Sequence, residues 1–294
     1  MIISSNSTSV KIASKSIKSS ILKKDILANQ LLYRFIPDYH TKYKNKRTTL
    51  WVEDGKKMKI GDFPLKNLIS GNYPNKFNST DIIVVAEYLL ERLRQEIGIY
   101  TIHSSSVYKR GNGILFFINL SGAGKTSLAL YLVRRYKFRL FSDEKTALDL
   151  KNKKMVGQTK KLFVEQKTKN LLKEESILTK NFINIKKIRP KKLRLLIMPI
   201  ISNSIKKTTC YHLAPSQLRW FLYEELSKDI RGVNALISSL SIPLPSLDNL
   251  RLSKKRQNLI SKLSCQIPAY LILGSLKEVA KQTNQIFKNI LLGH

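Results

Sequence analysis

Apolar residues repeat along this 294-residue chain with two different periods. Ile82, Val85, Leu89, Leu90 and Leu93 recur at the spacing of one helix face. Ser79 or Thr80 is a candidate N-cap and Gly98 suits the far end, so a helix is expected between them. The stretch "YTIHSSSVYKRGNGILFFINL" then alternates, turns near Gly111–Gly113 and becomes continuously apolar, which predicts a β-hairpin. Its second arm, "GILFFINL", reads as a strand buried on both faces. A helical pattern follows in "TSLALYLVRRY", then a short strand, "FRLFSDE", that ends in acids. Further on, "KLRLLIMPIIS" and "PAYLILG" read as buried strands. "APSQLRWFLYEELSKDIRG" reads as a helix with Pro215 near its start and Gly232 at its end. "SLKEVAKQTNQIFKNILLG" reads as a closing helix.

The region before the first helix is less regular. "LLYRFIPD" (Leu31 to Asp38) and "TTLWVED" (Thr48 to Asp54) read as strands near turn residues such as Asp54-Gly55. Residues 1–80 are therefore expected to form a small α+β accessory region with a weakly ordered start, and residues 81–294 the α/β core.

Composition changes this picture in one respect. Hydrophobic residues make up 43% and charged residues 25%, ordinary for a globular protein, but the formal net charge is +33. That charge fits a lysine-rich solvated surface or an anionic partner such as nucleic acid, a membrane surface or a polyphosphate. Lysines are scattered, with no long run of like charge. Cys210 and Cys265 form no CxxC pair, which points away from a disulfide framework and towards a reducing, cytoplasmic setting. No apolar run approaches the ~18 residues of a transmembrane helix.

The candidate chemistry sits between the hairpin and the next helix. Asn119-Leu120-Ser121-Gly122-Ala123-Gly124-Lys125-Thr126 matches the phosphate-loop pattern G-x-x-x-x-G-K-[ST] everywhere except its first position. Asn tolerates the left-handed backbone that this position needs. Gly122 and Gly124 let backbone N–H groups curl around oxygen anions, and the helix from Lys125 adds its positive end. Lys125 can reach the outer phosphates, and Thr126 can ligate Mg2+. Asp143, at a strand end, can hold that metal or accept a proton from an attacking hydroxyl; otherwise Asp143-Glu144 is a solvated turn. His103 and Arg231 each have an ordinary structural reading beside a functional one.

Four pieces stand in order: Gly98 to Ser104 around His103, Gly111 to Leu115, Ser121 to Ala129, and Leu140 to Glu144. Together they resemble the HPr serine kinase/phosphorylase superfamily, and within it the shorter HPr-kinase-like proteins. The resemblance implies an α/β core of the HPr-kinase and phosphoenolpyruvate-carboxykinase type with a mixed sheet. It implies ATP- and Mg2+-dependent phosphoryl transfer to a hydroxyl of a peptide, protein or small molecule. Asp143 would be the base, with His103 and Lys125 beside it. Asn119, Ser121, Gly122, Ala123, Gly124, Lys125, Thr126 and Ser127 would hold the nucleotide, and Thr126 and Glu144 the metal. Asn119 departs from the family's Gly and Glu144 from its second Asp. The same site running backwards would be a phosphorylase. The alternative is a degenerate nucleotide-binding protein acting through its basic surface on nucleic acid, although no base-stacking aromatic motif is evident.

Overall fold

The computed structural model describes residues 1–118, 120, 122–232, 236–237 and 242–293. Asn119 and Ser121, two of the residues expected to hold a nucleotide, lie outside the described residues. The fold is mixed α/β, with two multi-stranded sheets.

The first sheet contains β1 (Ile2–Ser5), β2 (Thr8–Ala13), β3 (Tyr39–His40), β4 (Lys46–Asp54), β5 (Lys59–Ile60) and β6 (Leu68–Gly71), in the order β3-β1-β2-β4-β6-β5. The first residues, expected to be weakly ordered, are strands instead: β1 and β2 pair antiparallel and bury Ile3 and Val10 completely. Helices α1 (Ser19–Ala28) and α2 (Leu31–Phe35) follow. The strand expected at "LLYRF" is corrected to α2. Asn29 Oδ1 accepts the Leu31 N–H at 3.0 Å, which starts a turn, and Ile36 goes extended ahead of Pro37, which ends it.

The expected helix is α3 (Ser79–Glu96), capped one residue earlier than expected. Asn78 Oδ1 accepts the Thr80 N–H at 2.8 Å, and Asp81 Oδ2 accepts the Asn78 N–H at 2.9 Å. Its N-terminal part, including Ile82, Val85 and Leu89, packs into the hydrophobic cluster of the first sheet.

The second sheet contains β7 (Ile99–Lys109), β8 (Asn112–Phe117), β9 (Arg139–Ser142), β10 (Lys145–Asp149), β11 (Lys154–Gln158), β14 (Lys191–Ile201), β15 (Thr209–His212) and β18 (Ala269–Gly274). Its order is β11-β10-β7-β8-β14-β18-β15, with β9 also on β7. β8, β14 and β18 are mutually parallel, and the other pairings are antiparallel, so the sheet is mixed. Two-stranded pieces are made by β12 (Lys161–Phe163) with β13 (Phe182–Asn184), and by β16 (Leu236–Ile237) with β17 (Ile242–Pro243).

Helices α4 (Lys125–Tyr136), α5 (Gln166–Glu174) and α8 (Leu276–Leu292) bury one face of this sheet, where Ile114 and Phe116 lie. Helices α6 (Pro215–Arg231) and α7 (Leu250–Ser264) cover the other, where Leu115 and Phe117 lie. Both halves of the apolar alternation in β8 are therefore buried, as the continuous run predicts. Among the described residues no helix is long and apolar enough to cross a membrane.

A buried ionic network joins the two sheets. Arg94, fully buried on α3, donates to Glu87 at 2.6 Å, to Glu91 at 3.0 Å and to Ser5 Oγ at 2.7 Å. Glu91 also accepts the backbone N–H of Thr101 on β7 at 3.1 Å. Lys145 reaches Glu87 at 3.4 Å and Asp229 at 2.7 Å. Removing one member strands the others without water. Arg94→Leu is expected to cost about 3–5 kcal/mol of stability, measured by urea denaturation. A loss below about 1 kcal/mol, the worth of an exposed pair, would mean that the network does not hold the two sheets together.

Candidate functional site

The site is assembled at one end of β7 and β8. β8 stops at Phe117, and α4 starts at Lys125. The link turns on two left-handed glycines, Gly122 at φ 73° and Gly124 at φ 93°. Gly124 is the N-cap of α4, and a Cβ there would lie 2.7 Å from Ile201 Cβ. Only glycine meets both demands. The Ile201 N–H donates to Ala123 O at 3.1 Å, which ties the loop to the end of β14.

Lys125 is buried, and its Nζ donates to two backbone carbonyls, Ile118 O at 3.2 Å and Leu120 O at 3.4 Å. Burial pulls its pKa below the usual lysine value; the largest opposing influence is the negative charge of Glu225.

The acids owe their placement to a kink. β9 and β10 both run antiparallel to β7, with Ser142 opposite Ser106 and Lys145 opposite His103. Asp143 and Glu144 interrupt the pairing between them. Glu144 adopts φ 66°, and the Lys145 N–H turns back to Asp143 O at 2.8 Å. A non-glycine residue in the left-handed region carries strain that its surroundings must hold. Thr159 supplies part of that hold, donating from Oγ1 to Asp143 O at 2.7 Å. Asp143 follows the end of β9, as the sequence reading has it, and β10 resumes along β7 two residues on.

Asp143 is 2% exposed. Its Oδ1 accepts from Ser105 Oγ, and from Thr126 Oγ1 at 2.9 Å. Among the described residues no cation lies within ion-pair distance of it. Burial, reinforced by the neighbouring Glu144 charge, pushes its pKa up to about 7; the two hydroxyls and Lys125 pull the other way. His103 moves in the opposite direction. Burial and the Lys125 charge hold it down at about 4, so its imidazole is neutral near pH 7.

His103, Gly122, Ala123, Gly124, Lys125, Thr126, Ser127, Asp143 and Glu144 all line one cleft of about 120 Å³. Two expectations shift within it. Glu144, expected to hold a metal with Thr126, accepts at Oε1 from Arg34 Nη2 at 2.9 Å, and the carboxylate on Thr126 is that of Asp143. Arg231 lies away from the cleft, 3.4 Å from Glu224 and stacked on Tyr223.

Sequence reasoning missed Ser105, Arg34 and the first turn of α5. Lys167 and Thr168 line the cleft, and a Cβ at Gly122 would stand 3.1 Å from Lys167 Nζ. Ser127 Oγ donates to Thr168 Oγ1 at 3.3 Å, joining α4 to α5. The triple serine 104–106 facing the loop was the available signal for Ser105. Lys167 lies in a lysine-rich stretch and Arg34 in an apolar one read as a strand, and nothing singles either out. Among the described residues no group of three or more His, Cys, Asp or Glu side chains could hold a metal alone. The cleft therefore offers backbone N–H groups, ammonium groups and hydroxyls for an anion, beside one carboxylate able to accept a proton at neutral pH. No protein-family model matches the chain, and no curated protein matches it.

The two shifted groups make opposite contributions to stability. Asp143 binds its proton more tightly when folded, so its contribution falls as pH rises from about 4 to about 7. His103 binds its proton less tightly when folded, so its contribution rises with pH from about 4 to 6.5. The wild-type curve mixes the two, and the difference from Asp143→Asn isolates the first. That variant is expected to gain stability relative to wild type as pH rises from 4 to 8, reaching roughly 2–4 kcal/mol in urea denaturation. A difference independent of pH would contradict the raised carboxylate.

Proposed function

We propose that the protein transfers a phosphoryl group from Mg2+-bound ATP to a hydroxyl acceptor. The observation that carries this reading is the pairing of two features in one cleft. A left-handed glycine loop capped onto a helix lies beside Asp143, a carboxylate whose pKa burial raises to about 7 and whose side-chain hydrogen-bond partners are hydroxyls.

In this reading the N–H groups around Gly122–Thr126 and the positive end of α4 receive the β- and γ-phosphates. Lys125 gives up its two carbonyl partners for phosphate oxygens, and Lys167 adds a second ammonium from α5. Asp143 accepts the proton of the acceptor hydroxyl. A carboxylate with a pKa near the working pH suits that task, because it is available as base and still binds the proton. Neutral His103 offers one donor and one acceptor nitrogen to orient the acceptor. Ser105 and Thr126 fix the Asp143 carboxylate in place.

Magnesium fits the donor set: Thr126 Oγ1 and Asp143 Oδ1 are hard oxygen ligands already 2.9 Å apart. They are too few to hold it without phosphate oxygens. Bound there, the ion would neutralise charge on the phosphates during transfer.

Two substitutions separate binding from chemistry. Lys125→Ala is expected to abolish Mg·ATP binding in a calorimetric titration. Asp143→Asn is expected to keep nucleotide binding through Lys125 and the loop, and to lose about 10²–10⁴-fold in transfer rate. The wild-type rate is expected to rise with pH through about 7, as Asp143 deprotonates. Binding of Mg·ATP unchanged by Lys125→Ala would overturn the phosphate role of the loop. Full transfer activity in Asp143→Asn would overturn the base assignment.

A further inference from the structure

A second cavity begins where the glycine loop leaves the sheet. Ile118 O holds Lys125 Nζ on the cleft side, and the same residue lines a separate cavity of about 480 Å³. Its other walls include Phe117 and Ile200 from the strand ends, and Trp220, Phe221 and Glu225 from α6. This volume lies in the usual range for a small-molecule site, roughly 300–1,000 Å³.

Two observations give the cavity a chemistry. The first is aromatic. Trp220 is 64% exposed, and its ring lies edge-on to Phe221 with centroids 5.1 Å apart. An exposed tryptophan at the mouth of an apolar cavity offers a π-face that a soluble surface does not otherwise need. The second is a carboxylate. Glu225 is 3% exposed, and its Oε2 accepts from Lys228 Nζ at 2.6 Å. Its Oε1 is buried and has no hydrogen-bond partner among the described residues. A buried carboxylate oxygen without a donor is costly, and a ligand N–H would relieve the cost. Glu224 adds a second carboxylate to the lining. Glu224 pairs with Arg231 at 3.4 Å, so the unpartnered Glu225 Oε1 is the acceptor that marks the cavity. Aromatic faces beside a carboxylate select an organic cation, and the free acceptor oxygen selects one that carries N–H groups.

We propose that this cavity binds a small molecule with a protonated primary amine on an apolar or aromatic body. The ammonium would lie on Glu225 Oε1, and the body would lie among Trp220, Phe221 and Ile200. The proposal rests on the phosphoryl-transfer reading only in making that molecule the acceptor. The amine would anchor it beside Ile118, and its hydroxyl would reach the cleft on the other side of the loop. Amine recognition would then decide which hydroxyl compounds are substrates.

The test uses phenethylamine as probe, titrated into the full-length protein without nucleotide. The uncharged analogue 2-phenylethanol serves as control, and circular dichroism confirms that each variant is folded. The amine is expected to bind, and the alcohol to bind about tenfold more weakly or not at all. Glu225→Gln and Trp220→Ala are each expected to weaken amine binding about tenfold. Because Trp220 is exposed, its variant tests the cavity even where Glu225→Gln fails to fold. Equal affinity for amine and alcohol, no amine binding, or wild-type affinity in Trp220→Ala would overturn the proposal. Binding of a blocked lysine peptide in place of the free amine would overturn it too. Amine binding by a protein that does not bind Mg·ATP would overturn the transfer reading and leave this one standing. Mg·ATP binding without amine binding would do the reverse.

Discussion

A carboxylate removed from water and given only hydroxyl partners is the constraint around which this molecule is arranged. Asp143 would be stabilised most simply by an adjacent cation, yet its two side-chain hydrogen bonds come from Ser105 and Thr126. Burial raises its proton affinity, and the hydroxyl donors offset only part of that rise. The position requires a break in the strand path along β7, and the break requires a left-handed glutamate. Neither is favourable locally. Both persist because the elements around them are fixed independently. β7 is paired on both sides, α4 is capped on Gly124, and Thr159 holds the kinked backbone.

The N-terminal sheet takes part in that fixing. Glu144 is paired with Arg34 from α2, and Lys145 is drawn into the buried network of Glu87 and Asp229. The two residues immediately after Asp143 are thus anchored outside the strand path, one by α2 and one by α3 and α6. Arg94 closes the network by reaching Ser5 on the first strand. A buried network of this kind adds little net stability against an apolar core of the same shape. It does make the relative placement of its members specific, because every alternative arrangement leaves a charge unpaired. The accessory region is therefore part of the frame of the cleft.

Much of this was legible in the sequence. The hairpin, α3, α4, α6, α8, β14 and β18 follow from apolar period and from glycine and proline placement, because each buries a continuous face. The gathering of Lys125, Thr126 and Asp143 follows from the strand–loop–helix–strand order, and the place of His103 beside them only from the resemblance to the HPr-kinase-like proteins. Other features turn on a cap or a proline that outweighs the apolar pattern, or on partners distant in sequence. Leu31–Phe35 has strand-like residues, but Asn29 and Pro37 impose a helical turn. Helix α7 carries many lysines and arginines and only a narrow apolar stripe; its start rests on Asn249 accepting the Leu252 N–H. Arg94 and Glu91 look like surface charges of an amphipathic helix until the second sheet covers them. Glu144 reads as a metal ligand, and nothing near it in the chain announces its ion pair with Arg34, 110 residues away.

The most direct test of this account is a carbon-13 NMR titration of the Asp143 carboxyl, assigned with Asp143→Asn, with and without Mg·ATP. The account predicts a midpoint near 7 in the free protein and a shifted midpoint once nucleotide occupies the loop beside it. A midpoint near 4 that ignores nucleotide would contradict it, leaving Asp143 an ordinary carboxylate and the cleft without its base.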